Sequence, residues 1–266
     1  KRKPRRLKLR PAHKIICGFS AVILIGAFLL CLPISSSART WTDFTDALFT
    51  AVSAVCVTGY TVVPVAMHFS GFGQAVLLLL IQTGGLGFMT LTTMILLLIR
   101  KRITYKSRLT LSDALSTDSP KGIIRLVIKI LVMTATIECA GWLLLMPVFC
   151  RDYGAIGIWQ ALFTSFSAFC NAGFDLFTGA AGSPYVSLTD YTGNVLVTLT
   201  VAFLIITGGL GFAVISDVIT KKFNFKKLTP HSKIVICVSG ALIVIGTLLV
   251  YLFERGNPRT LGGETK

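Results

Sequence analysis

Two short segments of this sequence carry the residues whose types and spacing have the clearest chemical use. Cys56–Val57–Thr58–Gly59 and Cys170–Asn171–Ala172–Gly173, here called the first and second glycine loops, each follow a short apolar stretch. Glycine adopts backbone angles that other residues avoid, which lets consecutive carbonyl groups aim in one direction. Carbonyl oxygens arranged in this way replace the hydration shell of a cation. Because neither loop contains a charged side chain, the sequence predicts cation coordination by the main chain.

The two glycine loops lie at equivalent places in an internal repeat. Residues 46–60 read DALFTAVSAVCVTGY and residues 160–174 read QALFTSFSAFCNAGF, and eight of the fifteen positions are identical. The sequence TGGLGF follows each copy, at Thr83–Phe88 and at Thr207–Phe212. A partial echo of the N-terminal segment begins at Lys227. These repeats predict two complete copies of one structural unit and the first helix of a third.

Composition places these units in a membrane. The chain has 266 residues, of which 53% are hydrophobic and 14% charged, and its mean hydropathy is +0.77. Soluble domains carry about 25% charged residues, so the predicted fold class is an all-α integral membrane protein. A crossing helix needs about 20 mainly apolar residues. Five apolar stretches come near or exceed that length: Ile15–Leu32, Gly71–Ile99, Ile123–Val148, Gly193–Ile219 and Ile234–Phe253.

The stretches that lead into the glycine loops are too short to cross. Asp43–Val55 and Gly157–Phe169 would span only about 20 Å as helices. We predict that each is a re-entrant pore half-helix, as in potassium channels, which enters from the outer side and returns through its glycine loop. Irregular backbone at membrane depth survives only inside protein or beside a watery cavity. Asp43 and Asp46 are expected in the first turn of the first half-helix. The opposite, carboxyl end of that helix is partly negative and favours a cation.

The distribution of positive charge predicts the orientation of the chain. Of its 26 Lys and Arg residues, 21 fall within residues 1–14, 100–129 and 221–233. Cytoplasmic segments attract this excess, so we expect a multi-pass protein of the cell membrane with a cytoplasmic N-terminus. The net charge of +15 follows this topology and indicates no nucleic-acid partner.

The predicted segments are a basic cytoplasmic N-terminus (1–14), a first pore repeat (15–99), a cytoplasmic loop (100–122), a second pore repeat (123–219), a cytoplasmic loop (220–233), the first helix of an incomplete third repeat (234–253) and an extracellular tail (254–266).

The glycines of TGGLGF have a structural interpretation and a weaker functional one. Small residues let helices approach closely in a bilayer, so we predict that they pack the returning helix against the half-helix, with a hinge as the alternative. A phosphate-binding loop is disfavoured because no strand-and-turn unit precedes them. The predicted packing glycines are Gly84, Gly85, Gly87, Gly208, Gly209 and Gly211.

Two carboxylates outside the glycine loops leave alternatives open. Glu138 lies inside an apolar span, where it could face an ion route, snorkel or make a structural hydrogen bond. Asp175, just after the second glycine loop, could draw cations to a pore mouth or be a plain loop residue. No Ser/His/Asp set, paired carboxylates or Walker-type lysine is present. We therefore predict no enzyme activity, no cofactor and no metal bound by side chains.

The repeated SAVCVTGY and SAFCNAGF, each followed by TGGLGF, resemble the Trk/Ktr/HKT superfamily of potassium transporters, above all the membrane subunit of bacterial Ktr systems. The resemblance implies potassium uptake through a four-repeat selectivity filter in which Gly59 and Gly173 are filter glycines, with sodium as a possible coupling ion. It also implies a homodimer of the full-length subunit. A cytosolic nucleotide-binding regulatory subunit of the KtrA type would face the basic loop Arg100–Lys121.

Two glycine loops cannot encircle an ion, so we expect either a fragment of a longer protein or an association of copies. The unpaired helix Ile234–Phe253 favours a fragment. An alternating-access transporter for another small solute and a non-conducting membrane assembly subunit remain alternative functions. Alternating access commonly uses inverted repeats, whereas these repeats share one orientation.

Overall fold

The computed structural model describes residues 11–87, 123–178 and 187–257. Regular structure in these ranges is helical, apart from one isolated antiparallel bridge between Ser36 and Phe69. The predicted cytoplasmic loop 100–122 lies outside the described residues, as do residues 1–10 of the predicted N-terminus, 88–99 of the first repeat, 179–186 of the second repeat and 258–266 of the predicted tail. The α-helices are α1 (Pro11–Cys31), α2 (Phe44–Val55), α3 (Val65–His68), α4 (Gly71–Leu86), α5 (Ile123–Tyr153), α6 (Ile156–Phe169), α7 (Val195–Leu210), α8 (Phe212–Thr220) and α9 (Pro230–Glu254).

The chain forms two compact units, Lys1–Gly209 and Leu210–Lys266. In the first unit, the short helix α2 packs against α1 and α4, and the short helix α6 packs against α5 and α4. Helix α4 thus contacts both short helices that lead into the glycine loops. In the second unit, α8 packs against α9.

Several described helices match the predicted membrane spans. By length and composition, the α5 segment Val127–Tyr153 and α9 can each cross a membrane, and a third span results if α7 and α8 act as one broken crossing. The predicted span Ile15–Leu32 coincides with α1 to within a few residues. The two short helices α2 and α6 have 12 and 14 residues, as their sequences predict.

The expectation of one continuous returning helix in each repeat is wrong. The predicted helix Gly193–Ile219 divides into α7 and α8 at Gly211, where φ is +86°. In the first repeat α4 ends before Gly87, whose φ is +79°. A residue with positive φ cannot continue a right-handed helix, and the last glycine of TGGLGF permits that conformation.

Local capping explains where the helices before and after the first glycine loop begin. Asp43 is the N-cap of α2 rather than a first-turn residue, and its carboxylate accepts a 2.7 Å hydrogen bond from the Thr45 N–H. This hydrogen bond lowers the pKa of Asp43. Ser70 caps α4 by accepting a hydrogen bond from the Gly73 N–H at 3.3 Å. Capping side chains of this kind satisfy N–H groups that a helix leaves unpaired.

An aromatic cluster holds the chain that follows the second glycine loop. Phe177 packs edge-on against Phe149 of α5, with 5.1 Å between ring centroids. Tyr191 lies 5.1 Å from the same Phe149 ring, and its hydroxyl donates to Asp152 at 3.0 Å. These rings are buried with Leu145 in one core cluster. These contacts attach Phe177 and Tyr191, which follow the second glycine loop, to the carboxyl-terminal part of α5.

The second unit contains a capped turn and a fully apolar helix. Thr229 begins α9 as its N-cap, and its N–H and hydroxyl both donate to the Asp217 carboxylate, at 2.9 and 3.0 Å. Pro230 follows at the first helical position, where its missing N–H costs nothing. Beyond Ile234 the apolar side chains of α9 are exposed around its whole circumference, as suits a helix in lipid.

Candidate functional site

The structure brings the two glycine loops into direct contact. A Cβ at Gly173 would lie 3.5 Å from the Gly59 Cα, and a Cβ at Gly59 would lie 2.6 Å from the carbonyl oxygen of Ala172. Both glycines have positive φ, +79° at Gly59 and +73° at Gly173. Residues separated by 114 positions in the chain therefore meet backbone to backbone, where a larger residue at position 59 would collide with the other loop.

The first glycine loop starts with a Schellman motif at the end of α2. The Thr58 N–H donates to the Ser53 carbonyl at 2.9 Å, and the Val57 N–H donates to the Ala54 carbonyl at 3.3 Å. Val57 is the residue in the left-handed conformation, with φ +57°. The Thr58 hydroxyl also donates to the Ser53 hydroxyl at 2.8 Å. These bonds fix the direction in which the chain leaves the helix.

The second glycine loop repeats this geometry after α6. The Ala172 N–H donates to the Ser167 carbonyl at 2.8 Å, and the Asn171 N–H donates to the Ala168 carbonyl at 3.0 Å. Asn171 has φ +58°, equivalent to Val57 in the first loop. The left-handed conformation costs most residues about 1–2 kcal/mol, and asparagine less. The first loop therefore holds a β-branched residue in strain that the second avoids.

The carbonyl oxygens of both loops are left free by the protein. Within the described residues, no N–H or O–H group donates a hydrogen bond to a carbonyl of residues 56–59 or 170–173. The loops also continue directly from the carboxyl ends of α2 and α6, which carry partial negative charge. Each loop thus combines a negative helix end with carbonyl groups that accept no hydrogen bond from the described residues, and such groups can attract a cation.

Four of the six predicted packing glycines lie against the glycine loops or the helices before them. A Cβ at Gly84 would overlap the Val55 carbonyl oxygen, and one at Gly208 would overlap the Phe169 carbonyl oxygen. Val55 and Phe169 are the last residues of α2 and α6, so the same contact occurs in both repeats. A Cβ at Gly85 would lie 2.5 Å from the Cys170 Sγ, and a Cβ at Gly209 would lie 3.8 Å from the Asn171 Nδ2.

For the remaining pair, Gly87 and Gly211, packing stays a prediction. In the part of the chain that the structure describes, no heavy atom lies within 4 Å of a Cβ at either glycine. Their positive φ angles give the physical reason for glycine at both positions. Gly87 ends α4, and Gly211 separates α7 from α8.

A cavity of about 210 Å³ adjoins Gly59 and Gly173, and Asp175 lines it. The Asp175 carboxylate accepts a hydrogen bond from the Phe177 N–H at 3.1 Å, which fixes it at the edge of the cavity. Thr61, Pro64 and Ser187 also line this space. The contact with Phe177 gives Asp175 a structural task in its loop. Its place beside the glycines keeps the interpretation as a cation-attracting group open.

Glu138 lies away from the glycines of the two loops, buried on α5. Only 2% of its surface is exposed, which argues against snorkelling. Both carboxylate oxygens accept hydrogen bonds from the Gln82 side chain at 2.8 Å. A central carboxylate costs about 2.5–3.5 kcal/mol on insertion scales, and this pairing offsets part of that cost. Among the alternatives, the geometry favours a structural hydrogen bond.

Three features of this site were not predicted from the sequence. Ser53 and Ser167 accept the Schellman hydrogen bonds, and their identity at equivalent repeat positions could have indicated a shared task. Val57 and Asn171 carry the left-handed angles usually assigned to glycine. Gln82, which pairs with Glu138, lies in an apolar helix, where a polar amide side chain indicates a buried hydrogen-bond partner. In the described residues, no group of three His, Cys, Asp or Glu side chains could hold a metal ion.

Together these features describe a helical protein with apolar helices long enough to cross a membrane and with two glycine loops in backbone contact. Residues 9–234 match the TrkH family, described as cation transport proteins. The chain therefore belongs to the TrkH family of cation transport proteins.

Curated relatives agree with this family. The chain is 41% identical to the potassium/sodium uptake protein NtpJ of Enterococcus hirae, over 96% of this chain and 55% of the relative. It is 39% identical to the Ktr system potassium uptake protein B of Bacillus subtilis, over 96% of this chain and 56% of the relative. Against the protein of the same name from Vibrio alginolyticus the identity is 38%, over 94% and 54%. The chain spans about half the length of the curated relatives it matches. All three relatives are named as uptake proteins.

The strain at Val57 yields a prediction about stability. Val57→Asn should raise the stability of the detergent-purified protein and Asn171→Val should lower it, each by about 1 kcal/mol, because asparagine tolerates positive φ and valine does not. Thermal melting followed by size-exclusion chromatography measures both. Each variant is the other's matched control. Melting temperatures that fall for both exchanges would show that the shared backbone angle is not what decides stability here.

Proposed function

We propose that this protein takes up potassium across the cell membrane through a selectivity filter to which the two glycine loops contribute. The observation that carries the proposal is the backbone contact between Gly59 and Gly173. Two equivalent loops meet there, and their carbonyl oxygens accept no hydrogen bond from the described residues, which supports these oxygens as ligands for an ion. An ion between them would exchange its water shell for main-chain oxygens.

Electrostatics support a monovalent cation as the substrate. No charged side chain occurs in either glycine loop, so an ion there meets only dipoles, and the carboxyl ends of α2 and α6 add partial negative charge. Dipoles bind a singly charged ion firmly enough for it to enter and weakly enough for it to leave. A carboxylate cage would instead suit a divalent ion and slow its release.

The proposed architecture is a set of pore repeats in which α2 and α6 are re-entrant half-helices. Two glycine loops cannot surround an ion, so further loops of the same kind complete the ring in the assembled transporter. The uptake protein from E. hirae is named for potassium and sodium, which supports sodium as a second transported or coupling ion. The N-terminus is proposed to face the cytoplasm, in line with the 21 basic residues on that side.

Relatives named as proteins of a Ktr system support a membrane component that works together with other proteins. We propose that the full-length subunit forms a homodimer and binds a cytosolic nucleotide-binding subunit of the KtrA type. The basic segment 100–121, which has six Lys and Arg residues, offers the cytoplasmic contact for an acidic partner surface. Electrostatic complementarity of this kind sets the association rate and specificity.

The filter proposal predicts the effect of filling either glycine position. Gly59→Ser or Gly173→Ser, made in the complete reading frame, should reduce the preference for potassium over sodium by about tenfold, since losing one well-aimed oxygen ligand costs on the order of 1.4 kcal/mol. Serine at either position is unfavourable at the positive φ, so the backbone shifts and its carbonyl groups turn away from the ion. Growth of a transport-deficient strain at low potassium, with rubidium uptake in excess sodium, measures the change.

Gly154→Ser is the matched control. Gly154 also has a positive φ, +63°, but has open space around it in the described structure. It carries the same backbone strain without approaching the glycine loops. Normal growth at low potassium of all three variants, at equal membrane levels, would contradict the filter assignment.

The partner proposal predicts a loss of association on charge reversal. Replacing Lys101, Arg102 and Lys106 by glutamate should reduce co-purification of the nucleotide-binding subunit at least about fivefold at low salt, because like charges across an interface repel. Pull-down from membranes at two salt concentrations measures it. The same exchange at Lys226 and Lys227, in the other basic loop, tests whether the effect is local. Unchanged recovery of the complex after the first exchange would remove this contact surface.

A further inference from the structure

Glu138 is a buried acidic group that the proposed filter does not use. It lies in the middle of α5 with 2% of its surface exposed. Among the buried side chains of the described residues, it is the one carboxylic acid. Such a group needs hydrogen-bond partners, and the position of those partners indicates what it does.

The carboxyl group of Glu138 reaches across to the first repeat. The Gln82 Nε2 of α4 donates to both Oε1 and Oε2 at 2.8 Å. The main chain of Glu138 contacts the second repeat, because its carbonyl oxygen accepts a 2.7 Å hydrogen bond from the Ser165 hydroxyl of α6. One residue thereby ties α4, α5 and α6 together.

The same hydrogen-bonded chain ends at the second glycine loop. The Gln82 Oε1 accepts a hydrogen bond from the Cys170 thiol at 3.2 Å. Cys170 is the first residue of that loop, and its Sγ lies 2.5 Å from the Cβ position of Gly85 on α4. The Cys170 side chain is therefore held on α4 by a polar contact and by close packing.

The role of the carboxylate follows from the two ends of the Gln82 amide. An amide carries a donor and an acceptor that exchange places when the group rotates by half a turn. Two carboxylate oxygens accept from Nε2, so they hold that end toward Glu138 and leave Oε1 to face Cys170. Without the carboxylate, either end of the amide could face the thiol.

The first glycine loop has no counterpart of this chain. The repeat places Cys56 at the position of Cys170 and Ile206 at the position of Gln82. Cys56 is exposed, and an isoleucine side chain has no polar end to orient. The network therefore distinguishes two loops that are otherwise built alike.

We infer that Glu138 and Gln82 are positioning residues for the second glycine loop, fixing the Cys170 side chain and through it the aim of the carbonyls up to Gly173. This inference rests on the proposed function. It assigns ion preference in part to a carboxylate that never touches the ion, and it assigns that control to one loop of the pair.

An exchange of the two side chains tests the inference. Glu138→Gln and Gln82→Glu each leave two like groups facing one another, whereas the double variant restores an amide opposite a carboxylate and keeps an acceptor for Cys170. Rubidium uptake by the complete transporter in proteoliposomes, with sodium as competitor, gives KM, the maximum rate and the ion preference. Each single variant should raise the rubidium KM about fivefold, the effect of one ordinary hydrogen bond. Its maximum rate should stay within about twofold, and the double variant should recover most of the KM.

Thr136→Val is the matched control, since Thr136 lies on the same helix but is exposed. Unchanged KM and sodium competition in both single variants, or a double variant no better than the singles, would overturn the inference.

Where Gln82→Glu does not reach the membrane, Cys170→Ala takes its place, because it removes the thiol and leaves the Gln82–Glu138 pair intact. It should show the same KM shift, and a wild-type KM would overturn the inference. Failure of the proposed function gives another result, namely no rubidium uptake by the wild-type protein.

Discussion

The constraint on which this structure depends is the meeting of two glycine loops with no side chain between them. The Gly59 and Gly173 backbones approach so closely that a Cβ at position 59 would lie 2.6 Å from the Ala172 carbonyl oxygen. Two short helices must therefore end at the same place, pointing the same partial charge at it. The longer helices α1, α4 and α5 pack against the two short helices and keep their ends in contact.

Two levels of packing hold the loops in position. Gly84 and Gly208 let the returning helices lie directly on the last carbonyls of α2 and α6, a contact available only to residues without a side chain. The Schellman hydrogen bonds from Thr58 to Ser53 and from Ala172 to Ser167 then set the exit direction. The repeats share this design, and the Glu138–Gln82–Cys170 chain is added to the second loop alone.

The sequence was sufficient for the features that repeat or that follow from length. The apolar helices, the two short helices and the paired glycine loops could be predicted because identical residues recur with the same spacing. The helix ends at Gly87 and Gly211 were not predicted, because a glycine that ends a helix and one that packs it look alike in an apolar stretch. The positive φ angle of Val57 was not predicted because β-branched residues rarely adopt it. The partner of Gln82 is visible only where α4 meets α5.

The central claim is that main-chain oxygens at the meeting of the glycine loops bind a monovalent cation. Crystals of the complete transporter grown with thallium in place of potassium test it most directly, through anomalous scattering. The account predicts an anomalous peak beside the carbonyls of residues 57–58 and 171–172. Peaks found only at carboxylate side chains such as Asp175, with none at the glycine loops, would contradict it.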